Sequence, residues 1–200
     1  MRKCLASRIL SSILPHPMHK IVILLLSLLA TSTLLAQNGN STNINGSLGR
    51  IVFIGDSISA GVGVDDRSVF RDSTVATRLL KQRHPGALEI NLAQSGRALC
   101  QQGSAYAQDI LKHNPDALVV QWGVNDQYWG YSLAQFVARY DQMVQTVRAA
   151  KPGMPIVLTT LVADFRWPEN MDLWIGEANI AIQEIAGRYR CRVAYVHRAI

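Results

Sequence analysis

Cysteine is scarce in this sequence, and acidic residues are missing from its N-terminal quarter: three cysteines occur in 200 residues, and no Asp or Glu precedes Asp56. So few cysteines exclude a disulfide-dense scaffold, and no Cys/His spacing is typical of a metal site. Cys4 lies in an N-terminal leader. In the parallel sheet that the sequence predicts, Cys100 and Cys191 fall near opposite edges and opposite ends, beyond bridging distance. We therefore expect both to be free, buried thiols.

The basic character of the chain comes mainly from its N-terminus. The formal net charge is +6, and four positive charges (Arg2, Lys3, Arg8 and Lys20) precede the only long apolar run. Without those four, 16 basic residues face 14 acidic ones, a net charge of +2. A balance so close to neutral gives no reason to propose a nucleic-acid partner.

The apolar run covers residues 21–36 and contains no charged side chain. It is short for a membrane span, which needs about 20 residues, and it ends in small residues, so we predict a signal peptide over residues 1–36. Met18 is an alternative start that gives a signal peptide of more ordinary length, and a single uncleaved anchor is the competing interpretation. We expect the folded part to be secreted or periplasmic, with membrane contact only through this segment.

Residues 37–49 are rich in Asn, Gly and Ser and predict a flexible linker, so the folded domain spans residues 50–200. Within it, short apolar runs alternate with segments of helical periodicity. The predicted strands are Ile51–Ile54, Leu88–Leu92, Ala117–Trp122, Ile156–Leu161 and Val193–Val196, and the predicted helices are Thr74–Arg83, Ala105–Lys112, Leu133–Ala150 and Met171–Tyr189. This alternation predicts an α/β fold, a three-layer sandwich with a five-stranded parallel sheet and helices on both faces.

Three of the predicted strands end in residues suited to nucleophilic chemistry: Gly55-Asp56-Ser57, Ser95-Gly96 and Gly123-Val124-Asn125. The carboxyl ends of parallel strands share one edge of the sheet, so these residues can converge. A serine that attacks a carbonyl needs hydrogen-bond donors aimed at the oxyanion that forms. The amides of Ser57 and Gly96 and the side-chain amide of Asn125 are the candidates.

Each of these residues also has an ordinary structural interpretation. Ser57 is a good cap for a following helix, Gly96 suits a turn, and Asn125 suits an Asx turn. Their order along the chain, each at the end of a strand, favours the catalytic interpretation.

The same residues resemble the motifs of the SGNH hydrolases, also called GDSL-type esterases and lipases, over residues 51–200. Gly55-Asp56-Ser57-Ile58 is similar to the nucleophile motif, Gly96 to the glycine of the second motif, and Gly123-Val124-Asn125-Asp126 to the third. The resemblance implies that Ser57 is the nucleophile, that Ser57, Gly96 and Asn125 form the oxyanion hole, and that Asp56 is not catalytic. It also implies a flavodoxin-like strand order 2-1-3-4-5 and cofactor-free hydrolysis of a small acyl ester, such as a lysophospholipid, an aryl or alkyl ester or an acetylated sugar.

The resemblance is incomplete after the fifth strand. There the family carries an Asp-x-x-His motif, which supplies the general base and the acid that orients it, and this sequence contains no Asp-x-x-His. We therefore expect the domain to be C-terminally incomplete, without the dyad and the final helix. His197 follows the fifth strand, but three strand spacings put it about 14 Å from the first strand, too far for a base. A non-catalytic or fragmentary SGNH-like domain, such as a carbohydrate-binding pseudoenzyme, is the alternative.

Overall fold

The structure, a computed structural model, describes residues 49–60, 85–162 and 169–196, the last range with side chains from residue 172 onward. Several predictions fall on other residues: the signal peptide, most of the linker, the helix Thr74–Arg83 and His197. They lie outside the described residues.

Five strands and four α-helices occur in the described ranges. The strands are β1 (Arg50–Gly55), β2 (Leu88–Asn91), β3 (Ala117–Gln121), β4 (Ile156–Thr159) and β5 (Arg192–Ala194); the helices are α1 (Tyr106–Lys112), α2 (Val124–Tyr128), α3 (Leu133–Ala150) and α4 (Glu169–Arg188), with a 3₁₀ helix at Leu99–Gln101. All of these except α2 and the 3₁₀ helix were predicted from the sequence, with bounds that differ by no more than two residues.

The strands form one parallel sheet in the order β2-β1-β3-β4-β5, which confirms the predicted order. In its register, Phe53 of β1 lies opposite Asn91 of β2 and Val119 of β3. Gly55, the last residue of β1, lies opposite Gln121, the last residue of β3. The ends of β1 and β3 are therefore level, and the residues that follow them emerge side by side.

The three central strands, β1, β3 and β4, are buried on both faces, which explains why each of them is a nearly continuous apolar run. One face shares a cluster of buried side chains with α1, α3 and α4; its strand residues are Val52, Ile54, Leu118, Val120, Ile156 and Leu158. The residues that alternate with them on the other face are also buried: Ile51, Phe53, Val119 and Val157. The sheet is thus the middle layer, as predicted.

The long helix α3 follows directly from its sequence pattern. Ser132 caps it in a reciprocal capping box with Gln135, and Lys151-Pro152-Gly153 follows its end. Its buried positions recur at spacings of three and four residues: Phe136, Tyr140, Met143, Val144 and Val147. This face packs onto the sheet and, through Phe136, against Trp174 of α4 with ring centroids 5.2 Å apart.

Cys100 and Cys191 are free, as predicted, but they are half-buried rather than buried. Cys100 lies on the 3₁₀ helix beside a surface groove, and Cys191 precedes the short edge strand β5. Partial burial raises the pKa of the Cys100 thiol to about 12, and this favours the neutral, unreactive form. No helix in the described part of the chain is both long enough and apolar enough to cross a membrane.

Candidate active site

The end of β1 brings Ser57 to the carboxyl edge of the sheet. A Cβ on Gly55 would lie 2.4 Å from the carbonyl oxygen of Gln121, so only glycine permits the two strand ends to lie this close. The next residue, Asp56, is buried, and its Oδ1 accepts a hydrogen bond from the backbone N–H of Ile58 at 3.0 Å. Ser57 lies between them in the turn and is half-buried. Among the described residues, none forms a hydrogen bond with its hydroxyl.

Polar side chains tie this turn to both neighbouring strands. The Ser59 hydroxyl donates to Oε1 of Gln121 at 2.7 Å, which joins the turn to β3. The Asn91 side chain donates to the carbonyl oxygen of Ser59 at 2.9 Å, which joins it to β2. Asn91 also accepts from the backbone N–H of Ala93 at 3.0 Å and so fixes the start of the next loop. Ser57 therefore lies in a turn that is held from two sides.

Gly96 lies in a tight turn directly after β2. The turn is bound to the end of β1 by the Gln94 N–H, which donates to the carbonyl oxygen of Gly55 at 2.8 Å, and it is closed by Arg97 N–H donating to Gln94 at 3.3 Å. Gly96 has φ +75°, the value that a type II turn requires at its second central residue. A Cβ here would meet no atom within 4 Å, so the turn is open where a ligand can approach.

Asn125 and Trp129 connect the end of β3 to the Gly96 turn. Asn125, on α2, donates one of its two side-chain N–H groups to the carbonyl oxygen of Arg97 at 3.0 Å. The other N–H is left for a second acceptor. The backbone N–H of Gln127, which an Asx turn at Asn125 would use, donates instead to the carbonyl oxygen of Gly123 at 3.3 Å, so the alternative interpretation of Asn125 as an Asx turn is not supported. The Trp129 indole N–H donates to the carbonyl oxygen of Gly96 at 3.0 Å.

Asp126, next to Asn125 on α2, connects the end of β3 to the 3₁₀ helix through a buried side chain. Its side chain is fully buried, and its two oxygens accept the backbone N–H groups of Leu99 at 2.9 Å and Cys100 at 2.8 Å. These are N–H groups of the first turn of the 3₁₀ helix, which have no partner within the helix itself. Burial raises the pKa of Asp126, and the two backbone hydrogen bonds oppose that shift.

Asp56 is the second buried carboxylate of the site. Burial raises its pKa from 3.8 to about 6. The Ile58 amide and the nearby Gln121 side chain oppose the shift, and the charge of Asp126 adds to it. The charge of Asp126 thus acts on Asp56 although the two residues belong to different motifs.

A general base for Ser57 is not found among the described residues. The one histidine described is His113, which follows α1 shortly before β3 begins, at the opposite edge of the sheet. Nor do any three His, Cys, Asp or Glu side chains in the described ranges lie where they could hold a metal ion.

A groove of about 310 Å³ lies between the 3₁₀ helix and α3. It is lined by Cys100, Tyr131, Gln135, Ala138, Arg139 and Gln142. Since Cys100 is four residues from Gly96, the groove wall begins within about 14 Å of that residue. The guanidinium of Arg139 donates to Gln142 at 3.2 Å. Four of the six lining side chains carry polar or charged groups, and the rest of the groove surface is mainly apolar.

The chain is similar to one known protein family and to several solved structures. The model of the GDSL-like Lipase/Acylhydrolase family matches residues 53–200. Among solved structures, the SGNH-hydrolase family esterase AlinE4 is 24% identical, with 76% of this chain and 77% of that chain covered and a TM-score of 0.59. The lipase/acylhydrolase from Enterococcus faecalis is 23% identical, with 75% and 77% covered and a TM-score of 0.59.

A catalytic mutant of the acetylxylan esterase Axe2 from Geobacillus stearothermophilus is 21% identical, with 74% and 75% covered and a TM-score of 0.61. At these identities the solved structures show a shared fold. No curated protein matches the chain. The sheet order, the three motifs at its carboxyl edge and the family match agree: the chain belongs to the GDSL-like lipase/acylhydrolase family, the SGNH hydrolases.

Proposed function

We propose that this protein hydrolyses a small acyl ester with Ser57 as its nucleophile. Membership in a family of ester hydrolases supports the reaction class. The observation that supports the residue assignment is the set of hydrogen bonds that joins the three strand ends. Gln94 binds the carbonyl of Gly55, and Asn125 binds the carbonyl of Arg97, one residue beyond Gly96.

In the proposed reaction, the Ser57 oxygen attacks the ester carbonyl carbon while its proton passes to a base. The carbonyl oxygen becomes an oxyanion, which accepts hydrogen bonds from the amides of Ser57 and Gly96 and from the free side-chain N–H of Asn125. One such donor contributes about 3–4 kcal/mol to transition-state stabilisation. Collapse of this intermediate expels the alcohol and leaves an acyl-serine, which water then hydrolyses to the carboxylic acid and free Ser57. The base is not among the described residues, and the sequence carries no Asp-x-x-His to name one.

Because the groove between the 3₁₀ helix and α3 contains several hydrogen-bonding side chains, we propose an acetylated sugar among the candidate substrates. Tyr131, Gln135 and Gln142 offer donors and acceptors for hydroxyl groups. One structural relative, Axe2, is described as an acetylxylan esterase. The other two candidates, a lysophospholipid and a simple aryl or alkyl ester, serve as competing substrates. If the polar groove binds the alcohol, Gln142→Ala, which keeps the cap of α3 intact, should raise KM for an acetylated sugar while leaving KM for p-nitrophenyl acetate unchanged.

We also propose that the folded part is exported, because the uncharged run at residues 21–36 has the features of a signal peptide. Mass spectrometry of the mature N-terminus tests this directly. Cleavage near Ala36 is the expected result, and an intact leader would instead identify an uncleaved anchor.

The nucleophile assignment is tested with a fluorophosphonate probe on the full-length protein. The label should appear on the tryptic peptide covering residues 51–67, and fragmentation should place it on Ser57 rather than Ser59. Ser57→Ala should abolish both labelling and ester hydrolysis. Ser104→Ala, which removes an exposed hydroxyl from a loop, is the matched control and should retain both.

The alternative is a pseudoenzyme that binds carbohydrate without cleaving it. The observation in its favour is the missing Asp-x-x-His, because a serine without a base retains only the modest catalysis of binding and the oxyanion hole. A wild-type protein that binds an acetylated sugar, yet neither hydrolyses it nor reacts with the probe, would establish this alternative.

A further inference from the structure

We propose that Trp129 is a positioning residue for the oxyanion hole: its indole N–H holds the Gly96 turn in register with Asn125. This proposal rests on the proposed function of Gly96 and Asn125. Trp129 lies outside the three family motifs, four residues beyond Asn125.

A positioning residue is needed because few packing contacts fix the position of Gly96. Gly96 is exposed, and apart from its chain neighbours no atom of the described residues lies within 4 Å of the place where its Cβ would be, so packing among these residues does not fix its position. Glycine also populates both signs of φ about equally, so the sterics of Gly96 itself do not fix the backbone at this point. Hydrogen bonds must therefore set its position. Before Gly96, the Gln94 N–H binds the end of β1; after it, Trp129 and Asn125 bind two successive carbonyl groups, those of Gly96 and Arg97.

The short helix α2 makes this arrangement specific. Asn125 and Trp129 are separated by one helical turn, and the Trp129 backbone N–H donates to the carbonyl oxygen of Asn125 at 2.9 Å. Residues with this spacing lie on the same face of a helix. The indole that holds Gly96 and the amide proposed to bind the oxyanion are thus carried on one rigid unit. The two proposed oxyanion donors are the Gly96 amide and the Asn125 side chain. The distance between them depends on the one helical turn from Asn125 to Trp129 and on the hydrogen bond from the Trp129 indole to Gly96.

Two general magnitudes set the range of the expected loss of kcat when Trp129 is replaced. Removal of an oxyanion donor typically lowers kcat by about 10²–10³-fold. Misplacement of a reacting group by about 1 Å costs up to about 10²-fold. Loss of the Trp129 restraint leaves the Gly96 amide present but less well placed, so we expect kcat to fall about 10-fold to 100-fold. Substrate binding away from the oxyanion should not change, so KM should stay within about twofold.

The test compares Trp129→Phe with Tyr128→Phe in the full-length protein. The first change removes the indole N–H and keeps an aromatic ring. The second removes the hydroxyl of the neighbouring ring, which is 72% exposed and packs edge-on against Trp129 at 5.5 Å. We expect W129F to show the kcat loss with p-nitrophenyl acetate, slower fluorophosphonate labelling, and faster amide hydrogen exchange confined to residues 94–98. Y128F should match the wild type in all three.

Several results would overturn the proposal. W129F with kcat within twofold of wild type would remove any positioning role. A rise in KM at constant kcat would make Trp129 part of a binding wall instead. A lowered melting temperature with faster exchange throughout the domain would make its role structural. A wild-type protein that is neither labelled nor active would overturn the proposed function itself, whereas a labelled, active wild type with an unaffected W129F would overturn only the assignment of Trp129.

Discussion

The ends of β1 and β3 contain the same three kinds of residue but are stabilised in different ways. Each has a glycine, a buried aspartate and a proposed catalytic side chain: Gly55, Asp56 and Ser57 in the first, and Gly123, Asp126 and Asn125 in the second. At β1, a single oxygen of Asp56 accepts a backbone N–H, and the donor is two residues away. At β3, both oxygens of Asp126 accept backbone N–H groups, from residues 26 and 27 positions away.

This difference indicates that the two strand ends have different roles. The end of β1 forms a local turn that carries the proposed nucleophile, Ser57. The β3 end reaches across to the loop after β2 with three side chains, Asn125, Asp126 and Trp129, and fixes its carbonyl and N–H groups. Substitution of Asp56 should therefore affect mainly its own turn, whereas substitution of Asn125, Asp126 or Trp129 should also disturb the Gly96 loop.

Asn125→Ala should produce the largest effect. It removes a proposed oxyanion donor and one of the bonds to the Gly96 loop, so kcat should fall about 10²–10³-fold or more. The measurement is kcat and KM on an activated ester, with Gln108→Ala, which removes an exposed side-chain amide from α1, as the control. A kcat within 10-fold of wild type would remove Asn125 from the oxyanion hole.

Asp126→Ala should lower the free energy of unfolding by about 2–6 kcal/mol, because the N–H groups of Leu99 and Cys100 lose their acceptors and each loss costs about 1–3 kcal/mol. Asp126→Asn keeps one acceptor and should cost less. Asp56→Ala strands a single N–H and should also cost less than Asp126→Ala. Denaturant unfolding of the three variants ranks them. If Asp56→Ala were the most destabilising, the proposed difference between the two strand ends would be wrong.

Asp56→Asn should change how stability depends on pH. Because the pKa of Asp56 rises from 3.8 to about 6 on folding, the folded state holds a proton that the unfolded state has lost between these values. Stability from this group is full below pH 3.8 and is lost as pH rises through 6. The total is up to about 3 kcal/mol at 1.36 kcal/mol per pKa unit.

The variant has no proton to lose, so its stability relative to wild type should rise between pH 4 and 6. Unfolding titrations at several pH values measure this, with Asp172→Asn, an exposed carboxylate on α4, as the control. Parallel curves for Asp56→Asn and wild type would show that the buried carboxyl does not titrate in this window.

The sequence predicted the sheet and its order because buried parallel strands and amphipathic helices leave periodic signals, as in Phe136, Tyr140 and Val144 of α3. It also placed Ser57, Gly96 and Asn125 at strand ends on one edge, where the structure finds them. It did not predict α2, since five residues are too few for a helical period. It did not predict the bonds of Asp126 or Trp129 to the Gly96 loop, because single hydrogen bonds between residues some 30 positions apart leave no pattern in the sequence.

Gly96→Ala should give the smallest effect on stability and separates backbone strain from contact. An alanine with φ +75° costs roughly 1–2 kcal/mol, and here its Cβ would meet no neighbouring atom that adds to the cost. Gly103→Ala is the matched control, because its Cβ is equally unhindered but its backbone is not left-handed. Unfolding free energies should differ between the two variants by the strain alone, and kcat should fall only in Gly96→Ala, since relief of the strain moves the amide that Trp129 and Asn125 hold in place. Equal stability in the two variants would mean that the turn after β2 adapts freely, and that its register with the end of β3 is weaker than the hydrogen bonds indicate.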